Sequence, residues 1–304
     1  NDYSQAINFA SKGLNVDLYG LLDKDTELSR DDFLPNVLTA CEYDGKLAIL
    51  PQTFTLQTVI GKADDVGTTP GWTVSDMKAL LASKPEGTQL FWGMDRTSAL
   101  TALMSLGYND FINWEDASCN FDSQEFIDVL DFANMFPEEF EYRDDMEDST
   151  VLLSQGKQLL DTYYLSDFEQ VQMYRAIFGG PTTFIGYPIS EGNGAMLSLN
   201  NIIGISNSCK DVDGAWQFLR TFYLPKKSSD GDSDYTYGFS IRKDDFEKYC
   251  QNAMKADSDG GSTWGWGEFE VEIRPATQED VDQVKDLVYN TTAVSGAVSD
   301  DITN

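Results

Sequence analysis

Residues 44–64, which read DGKLAILPQTFTLQTVIGKAD, constrain the fold more than any other stretch of the chain. The nearly continuous apolar run at 46–50 predicts a strand that is buried on both faces of a sheet. Pro51 cannot donate a hydrogen bond to a neighbouring strand, so the chain must leave that sheet there. The alternation of residues 55–60 predicts a second strand. We therefore interpret residues 52–55 as a crossover between two lobes.

The length and the charge narrow the choice of fold and partner. A chain of 304 residues is usually too long for one hydrophobic core, which favours two domains. The formal net charge of −30, from 51 acidic and 21 basic residues, disfavours nucleic acid and membrane surfaces as partners. The absence of histidine excludes Ser-His and Cys-His catalytic dyads and imidazole metal ligands. We predict no cofactor and no metal.

The four cysteines, at 41, 119, 209 and 250, form no CxxC pair, so the spacing does not support a zinc ribbon. Buried free thiols are the simplest expectation, and disulfides of unassigned pairing stay open. No segment approaches the roughly 18 apolar residues of a membrane span, and no signal-peptide pattern opens the chain. Because the sequence begins within an element at Asn1 and stops on a polar run at Asn304, we expect it to be an internal fragment.

Capping patterns predict where several helices begin. Ser29 and Asp32 form a capping-box pattern before an apolar helical face at 33–38. Thr73 and Asp76 form another before a helix that carries Met77, Leu80 and Leu81. A further helix is predicted within 120–134, capped by Asn120 or Asp122, with Phe126, Ile127, Leu130 and Ala133 facing inward.

One candidate ligand site is the turn that follows a predicted strand at 89–92. Ligands of α/β domains bind at the carboxyl ends of strands, where such turns lie. Arg96 has the forked donor geometry that suits a hydroxyl or carboxylate, and Asp95 can accept hydrogen bonds from hydroxyl groups. The alternative is that Asp95 and Arg96 only pair with each other on the surface.

A second candidate is the pair of tyrosines at the end of a strand predicted over 158–164. A tyrosine ring can pack on the C–H face of a sugar while its hydroxyl makes hydrogen bonds. Since successive side chains of a strand point to opposite faces, at most one of Tyr163 and Tyr164 is expected to face a cleft. Both could equally be core and rim aromatics. Ser166 lies in the loop that follows.

Glycine-rich stretches carry the remaining candidates. Gly192 and Gly194 lack the third glycine of a dinucleotide fingerprint, so we interpret them as a hairpin turn. Trp264 and Trp266 alternate with glycines, which would let two indoles stack on a sugar, although one core and one surface tryptophan is the simpler interpretation.

An EF-hand spacing at Asp257, Asp259 and Glu268 is not favoured as a calcium site. Gly261 occupies a ligand position of that loop, and Ser262 occupies the position of its glycine.

The motifs, taken in order, resemble the extracellular solute-binding proteins of family 1, the sugar-capturing subunits of ABC importers. The segments that carry the resemblance are the DGK turn and proline-ended strand, GWTVSDM at 71–77, SQGKQLLDTYYLSD at 154–167, GYPISEGNGAMLSLNNIIGISNSCKDVDGAWQFLRTFY at 186–223 and FSIRKD at 239–244. Ser240 departs from the pattern, because a proline often stands there in the family.

The resemblance implies an α/β fold of the type II periplasmic-binding-protein-like class, with two α/β lobes joined by hinge crossings. The crossings would lie at 52–55, 198–202 and 239–244. Lobe one would comprise 1–52 and 201–240, with its N-terminal part upstream of this chain. Lobe two would comprise 53–200 and 241–304.

The implied function is non-enzymatic, extracellular capture of a carbohydrate, an oligosaccharide, in the interlobe cleft and delivery to the permease of an ABC importer. The protein would be a monomer at the cell surface, lipid-anchored through a cysteine upstream of this chain. The expected ligand-binding residues are Gln52, Thr53, Phe54, Thr55, Asp95, Arg96, Tyr163, Tyr164, Ser166, Asn200, Trp264 and Trp266.

Two other functions stay open at this point. A secreted glycoside hydrolase needs only a pair of carboxylates, and the chain has 51 acidic residues from which such a pair could come. A binding protein for peptides or other polar solutes could use Arg96 to hold a carboxylate.

Overall fold

The structure, a computed structural model, describes residues 3–113, 116, 118–225, 237–255, 263–266 and 269–296. The helices are α1 (Tyr3–Ser11), α2 (Tyr19–Leu22), α3 (Pro35–Ala40), α4 (Ala63–Val66), α5 (Val74–Ala82), α6 (Arg96–Gly107), α7 (Gln124–Ala133), α8 (Ser149–Ser154), α9 (Glu169–Ile177), α10 (Val212–Leu219), α11 (Lys243–Ala253) and α12 (Gln278–Asn290). The strands are β1 (Glu42–Tyr43), β2 (Lys46–Leu47), β3 (Thr53–Lys62), β4 (Ile112–Asn113), β5 (Ser118–Cys119), β6 (Leu160–Leu165), β7 (Thr182–Phe184), β8 (Met196–Asn200), β9 (Phe239–Ser240), β10 (Thr263–Trp266) and β11 (Phe269–Glu272).

The main sheet is built around β3, and its other strands pair with β3 in antiparallel fashion. On one side β8 pairs with the first half of β3 and β7 pairs with its end. On the other side β9 pairs with its first two residues and β6 with the rest. Eight of the ten residues of this long strand are buried, as its apolar and β-branched residues require.

Three segments of the chain lie side by side at the beginning of β3. Thr53 is paired with Asn200 on one side and with Ser240 on the other. Just before β3, Leu50 and Ile203 exchange two backbone hydrogen bonds of 2.8 and 2.9 Å. These segments are the ones predicted to cross between lobes. β3 begins two residues before the predicted strand, so most of the predicted turn at 52–55 belongs to the strand.

Two predicted strands are shorter than expected. The apolar run at 46–50 forms a ladder only at β2, which pairs with β1 as a hairpin, and Leu50 adds an isolated bridge to Ile203. Residues 47–50 are nevertheless buried, so the run predicted burial correctly but overestimated the ladder. At 89–92 a single parallel bridge joins Gln89 to Gln158.

The capping patterns were correct to different degrees. Thr73 and Asp76 form the predicted capping box at the start of α5. The box of Ser29 and Asp32 closes only a short 3-10 turn, and α3 begins at Pro35, whose fixed φ suits a first helical position.

The prediction for α7 was wrong in two respects. Ser123 caps this helix, in place of Asn120 or Asp122. Ile127 and Leu130 are 42% and 41% exposed, because Val129, Phe132 and Ala133 form the buried face of the helix.

The buried side chains form two clusters. One extends from the segment around α3 across one face of β3 to α9, α11 and α12. The other packs α5, α6 and α7 together with Val59 and Ile185. Asn36 of α3 donates hydrogen bonds to the carbonyls of Val288 and Thr291, which joins the segment after residue 241 to the segment before residue 52. The division into lobes at 52, 200 and 240 stays a prediction.

The four cysteines are free thiols, of which Cys41 and Cys250 are buried and Cys119 is exposed. Within the described ranges, no three potential metal-ligating side chains cluster together. No described helix is long and apolar enough to span a membrane. Asp257, Asp259 and Glu268 of the EF-hand-like spacing lie outside the described residues.

Candidate ligand-binding surface on the central sheet

The first half of β3 has one apolar and one polar face, since its side chains alternate. Phe54 and Leu56 belong to the large apolar cluster. Thr53, Thr55 and Gln57 lie on the other face. The residues directly opposite them in the neighbouring strands share that face: Tyr164 and Met196 lie opposite Gln57, Ser198 opposite Thr55, and Asn200 and Ser240 opposite Thr53. We call six of the polar residues among them, Thr53, Thr55, Gln57, Tyr164, Ser198 and Asn200, the polar face.

The two adjacent tyrosines of β6 have opposite environments. Tyr163 lies opposite Thr58, and its ring packs edge-on against Tyr174 with 4.8 Å between ring centroids. Burial raises the pKa of Tyr163, and the nearby Asp167 raises it further. Tyr164 is 48% exposed. Its hydroxyl has no hydrogen-bond partner among the described residues. Of the pair, only Tyr164 presents its ring on the polar face.

Gln57 is at the centre of a hydrogen-bonded cluster that the sequence did not indicate. Ser295 donates to its Oε1 (3.1 Å), and its Nε2 donates to the hydroxyl of Tyr187 (3.3 Å). Burial raises the pKa of Tyr187 to about 12, and the neighbouring Tyr164 hydroxyl also acts to raise it. The only local signal was the period-2 pattern of β3, which could have placed Gln57 beside Thr55. Tyr187 and Ser295 are remote in sequence.

The end of the polar face next to the crossings carries a donor that has no partner among the described residues. Thr53 is buried and donates its hydroxyl proton to the Tyr237 carbonyl (2.8 Å), while Thr55 is also buried. Asn201, with φ of 52°, donates to Gln52 Oε1 (3.3 Å) and so joins two crossings. The Nδ2 of Asn200 is buried and has no described hydrogen-bond partner. Such a group destabilises the fold unless something binds it.

We expect Asn200→Leu to leave the free energy of unfolding unchanged or to raise it by about 1 kcal/mol, because the substitution removes a buried amide nitrogen that has no described hydrogen-bond partner. Ligand affinity should fall at the same time. Urea unfolding and titration calorimetry measure the two effects.

Asn36→Leu is the matched control for this prediction. The Asn36 Nδ2 donates to two buried carbonyls at 2.8 and 2.7 Å, whereas its Oδ1 is buried without a described partner, so the net effect of its loss should be to destabilise the protein by about 1 to 2 kcal/mol. Equal destabilisation by the two substitutions would show that Asn200 has an ordinary structural role.

The turn at Asp95 and Arg96 is apart from the polar face. Asp95 caps α6 by accepting from the backbone N–H (2.8 Å) and hydroxyl (2.7 Å) of Ser98, and these bonds lower its pKa. Arg96 is exposed, and the structure shows no ion pair between it and Asp95. No described hydrogen bond or ion pair connects this turn with Gln57 or Asn200. The role of the turn in ligand binding stays a prediction.

Three further predicted residues lie in packed surroundings. Phe54 is fully buried against Phe239. Ser166 is buried, and its hydroxyl donates to Asp167 as the chain enters α9. Trp264 is half-buried against the large cluster.

The side chain of Trp266 lies outside the described residues. Of the twelve predicted residues, the structure brings four onto one face of the sheet: Thr53, Thr55, Tyr164 and Asn200.

The sequence matches no protein-family model and no curated protein. Solved structures do match it. The sugar-binding protein MalE of Xanthomonas citri is 13% identical, with a TM-score of 0.59 over 99% of this chain and 73% of that protein. An extracellular solute-binding protein family 1 member of Alicyclobacillus acidocaldarius is 11% identical, with a TM-score of 0.55 over 99% of this chain and 74% of that protein.

An ABC substrate-binding protein of Listeria monocytogenes, solved with cycloalternan, is 14% identical, with a TM-score of 0.51 over 97% of this chain and 73% of that protein. The chain spans 61% and 59% of the lengths of two other matched proteins, from Thermotoga lettingae and Streptomyces glaucescens. At these identities the likeness concerns the fold. The chain has the two-lobed α/β fold of type II periplasmic-binding proteins, as the order of its motifs implied.

Proposed function

We propose that this protein captures a carbohydrate at the polar face and delivers it, chemically unchanged, to the permease of an ABC importer. The observation that carries the proposal is an exposed tyrosine ring, Tyr164, beside uncharged donors and acceptors on the same sheet face. A sugar offers hydroxyl groups and apolar C–H faces but no charge. Ring stacking and neutral hydrogen bonds are the contacts that suit it.

Closure of two lobes around the ligand would produce a closed state that the permease can recognise, and opening of the lobes would release the ligand. The segments around Gln52, Asn201 and Ser240 lie side by side at the start of β3, where a small backbone rotation can move whole lobes. A ligand that touches both lobes only in the closed state favours that state by its differential affinity. The lobes would comprise 1–52 with 201–240 and 53–200 with 241–304.

Two of the matched structures support this assignment by analogy. One is named a sugar-binding protein, and another was solved with the oligosaccharide cycloalternan. By analogy we place the present protein outside the cell, anchored by lipid and monomeric. Its partner would be the transmembrane subunits of an importer.

A panel of neutral oligosaccharides tests the function. Calorimetry identifies which glycans bind, and chromatography of the same mixtures shows whether they are altered. Binding without product formation is expected. More moles of cleaved sugar than of protein would support the glycoside hydrolase, and binding of peptides alone would support the polar-solute carrier.

The Tyr164 ring should dominate the affinity of the site. We expect Tyr164→Ala to weaken sugar binding by about 1 to 3 kcal/mol, because apolar contact and ring geometry are lost together. Calorimetry with a sugar from the panel measures the change.

Two other tyrosines serve as controls. Tyr43 is 40% exposed on β1, away from the polar face, and Tyr43→Ala should bind like the parent. Tyr163→Ala should instead lower stability, since its ring packs against Tyr174 in the core. Parent-like binding by Tyr164→Ala would remove this tyrosine from the site.

A further inference from the structure

Ser295, Gln57 and Tyr187 form a directional chain of hydrogen bonds across the central sheet. The segment that follows α12 runs along the free side of β8, where the Ser295 N–H donates to the Leu197 carbonyl (2.9 Å). From that edge the Ser295 hydroxyl donates a hydrogen bond across β8 to the Oε1 of Gln57 on β3. Gln57 in turn donates to Tyr187. The three residues come from three remote segments and meet beside Tyr164.

The orientation of the Gln57 carboxamide determines whether the Tyr187 hydroxyl accepts or donates in the hydrogen bond between them. Its Oε1 accepts from Ser295, so its Nε2 is the group directed at the Tyr187 hydroxyl. The phenol oxygen is therefore an acceptor in this bond, and its own proton is available for another acceptor. Within the described part of the chain no residue accepts that proton. The hydroxyl of Tyr164 is likewise without a described partner.

The backbone around Tyr187 holds its ring in place. The Tyr187 N–H donates to the Gly194 carbonyl (2.7 Å), and the Gly186 N–H donates to the Val59 carbonyl of β3 (3.0 Å). The indole of Trp72 also donates to the Gly186 carbonyl (2.7 Å). Tyr187 is only 3% exposed, so its ring cannot turn away from Gln57. A donor fixed in this way is preorganised for one ligand atom.

We propose that Gln57, oriented by Ser295, makes Tyr187 a dedicated hydrogen-bond donor to one hydroxyl oxygen of the bound sugar. The inference rests on the proposed function and specifies it further. A site with a buried donor rejects an analogue that lacks the matching acceptor, because the donor is then left unpaired. Tyr187 would thus select sugars that carry an oxygen at one ring position.

The test pairs protein variants with sugar analogues. The sugar that binds best in the panel is compared with its set of monodeoxy derivatives, by calorimetry, on the parent and on Tyr187→Phe. At one position, removal of the oxygen should weaken binding to the parent about tenfold or more. Tyr187→Phe keeps the ring and its packing but has no hydroxyl, so it should bind the sugar and that derivative about equally.

Gln57→Glu is a second test of the direction of these hydrogen bonds. A carboxylate accepts from both Ser295 and Tyr187, so the tyrosine proton is no longer available to the sugar. We expect the same loss of discrimination at the same ring position.

Tyr223→Phe is the matched control for the loss of a buried phenol hydroxyl. Tyr223 is buried in the large apolar cluster, and its hydroxyl donates to the Leu50 carbonyl (3.2 Å). It is not part of the polar face. Its substitution should leave the discrimination between the sugar and the deoxy derivative intact. Loss of discrimination in this variant as well would show that the effect of Tyr187→Phe is not specific to the hydrogen-bond chain.

The outcomes separate this inference from the proposed function. Undiminished discrimination by both Tyr187→Phe and Gln57→Glu would overturn the role of Tyr187 while leaving sugar capture in place. Failure of the parent to bind any sugar of the panel would overturn the proposed function itself, and the donor role with it. Thermal unfolding of each variant shows that the binding changes are measured on folded protein.

Discussion

Alanine at Gly194 is expected to destabilise the protein by roughly 3 kcal/mol or more, as measured by urea unfolding at equilibrium. Gly194 has φ of +67°, a region that side chains with a Cβ rarely occupy. An added Cβ would lie 2.3 Å from the Tyr187 carbonyl oxygen and 2.7 Å from its nitrogen. Both are backbone atoms of a paired segment, so neither can move aside as the end of a flexible side chain would.

Gly179→Ala separates the clash from the backbone strain. Gly179 has nearly the same φ, +66°, but nothing lies within 4 Å of its would-be Cβ. Its substitution should cost only about 1 kcal/mol. Similar losses at the two positions would show that the close approach at Gly194 contributes little. Because Gly194 also positions Tyr187, its alanine variant should bind sugar more weakly at temperatures where it is still folded.

Replacement of Asp25 by asparagine is expected to destabilise the protein by about 2 to 3 kcal/mol at neutral pH. The side chain of Asp25 is buried, and its carboxylate accepts hydrogen bonds from the Trp216 indole (2.9 Å) and the Arg220 guanidinium (2.9 Å). Asparagine would leave the guanidinium with only the exposed Glu27 as an anionic partner (2.6 Å). As a control, Asp23→Asn breaks the exposed pair with Arg30 and should change stability little.

The contribution of Asp25 should also depend on pH. Burial alone would raise its pKa, but hydrogen bonds from the Glu27 backbone, Arg220 and Trp216 outweigh burial and lower the pKa to about 2. A depressed pKa stabilises the fold above the ordinary value of 3.8, and this stabilisation is lost as the pH falls toward 2. The difference between parent and Asp25→Asn should therefore shrink between about pH 4 and pH 2. A difference that stays constant over this range would contradict the assignment.

Two features with short-range signals were predicted well. The capping box at Thr73 and Asp76 needs only residues three apart, and the structure contains it as expected. The opposite environments of Tyr163 and Tyr164 follow from strand alternation alone. By contrast, the apolar run at 46–50 indicated burial but not which backbone it would pair with, so its ladder was overestimated.

The candidate surface combines residues that the sequence indicated with residues that it did not. Tyr164 lay in the loop after a strand expected to end at the cleft, and Asn200 lay in the predicted crossing at 198–202, but the sequence did not indicate Gln57, Tyr187 or Ser295. Gln57 bonds to residues 130 and 238 positions away along the chain, and no local pattern indicates such a contact. The Asp95 carboxylate caps the first turn of α6, a role that the sequence did not indicate, and its part in ligand binding stays a prediction.

By itself, the sequence determined that sites which depend on histidine are absent and which side chains share a strand face. The absence of histidine is a matter of composition, and alternation along β3 and β6 is a property of extended backbone. Only the tertiary structure decided that β3 lies between β6 and β8, and that Ser295 crosses β8 to orient Gln57. Backbone geometry relates residues that are about two to four positions apart in the chain. Which strands become neighbours is decided instead by packing between segments that are far apart in the chain.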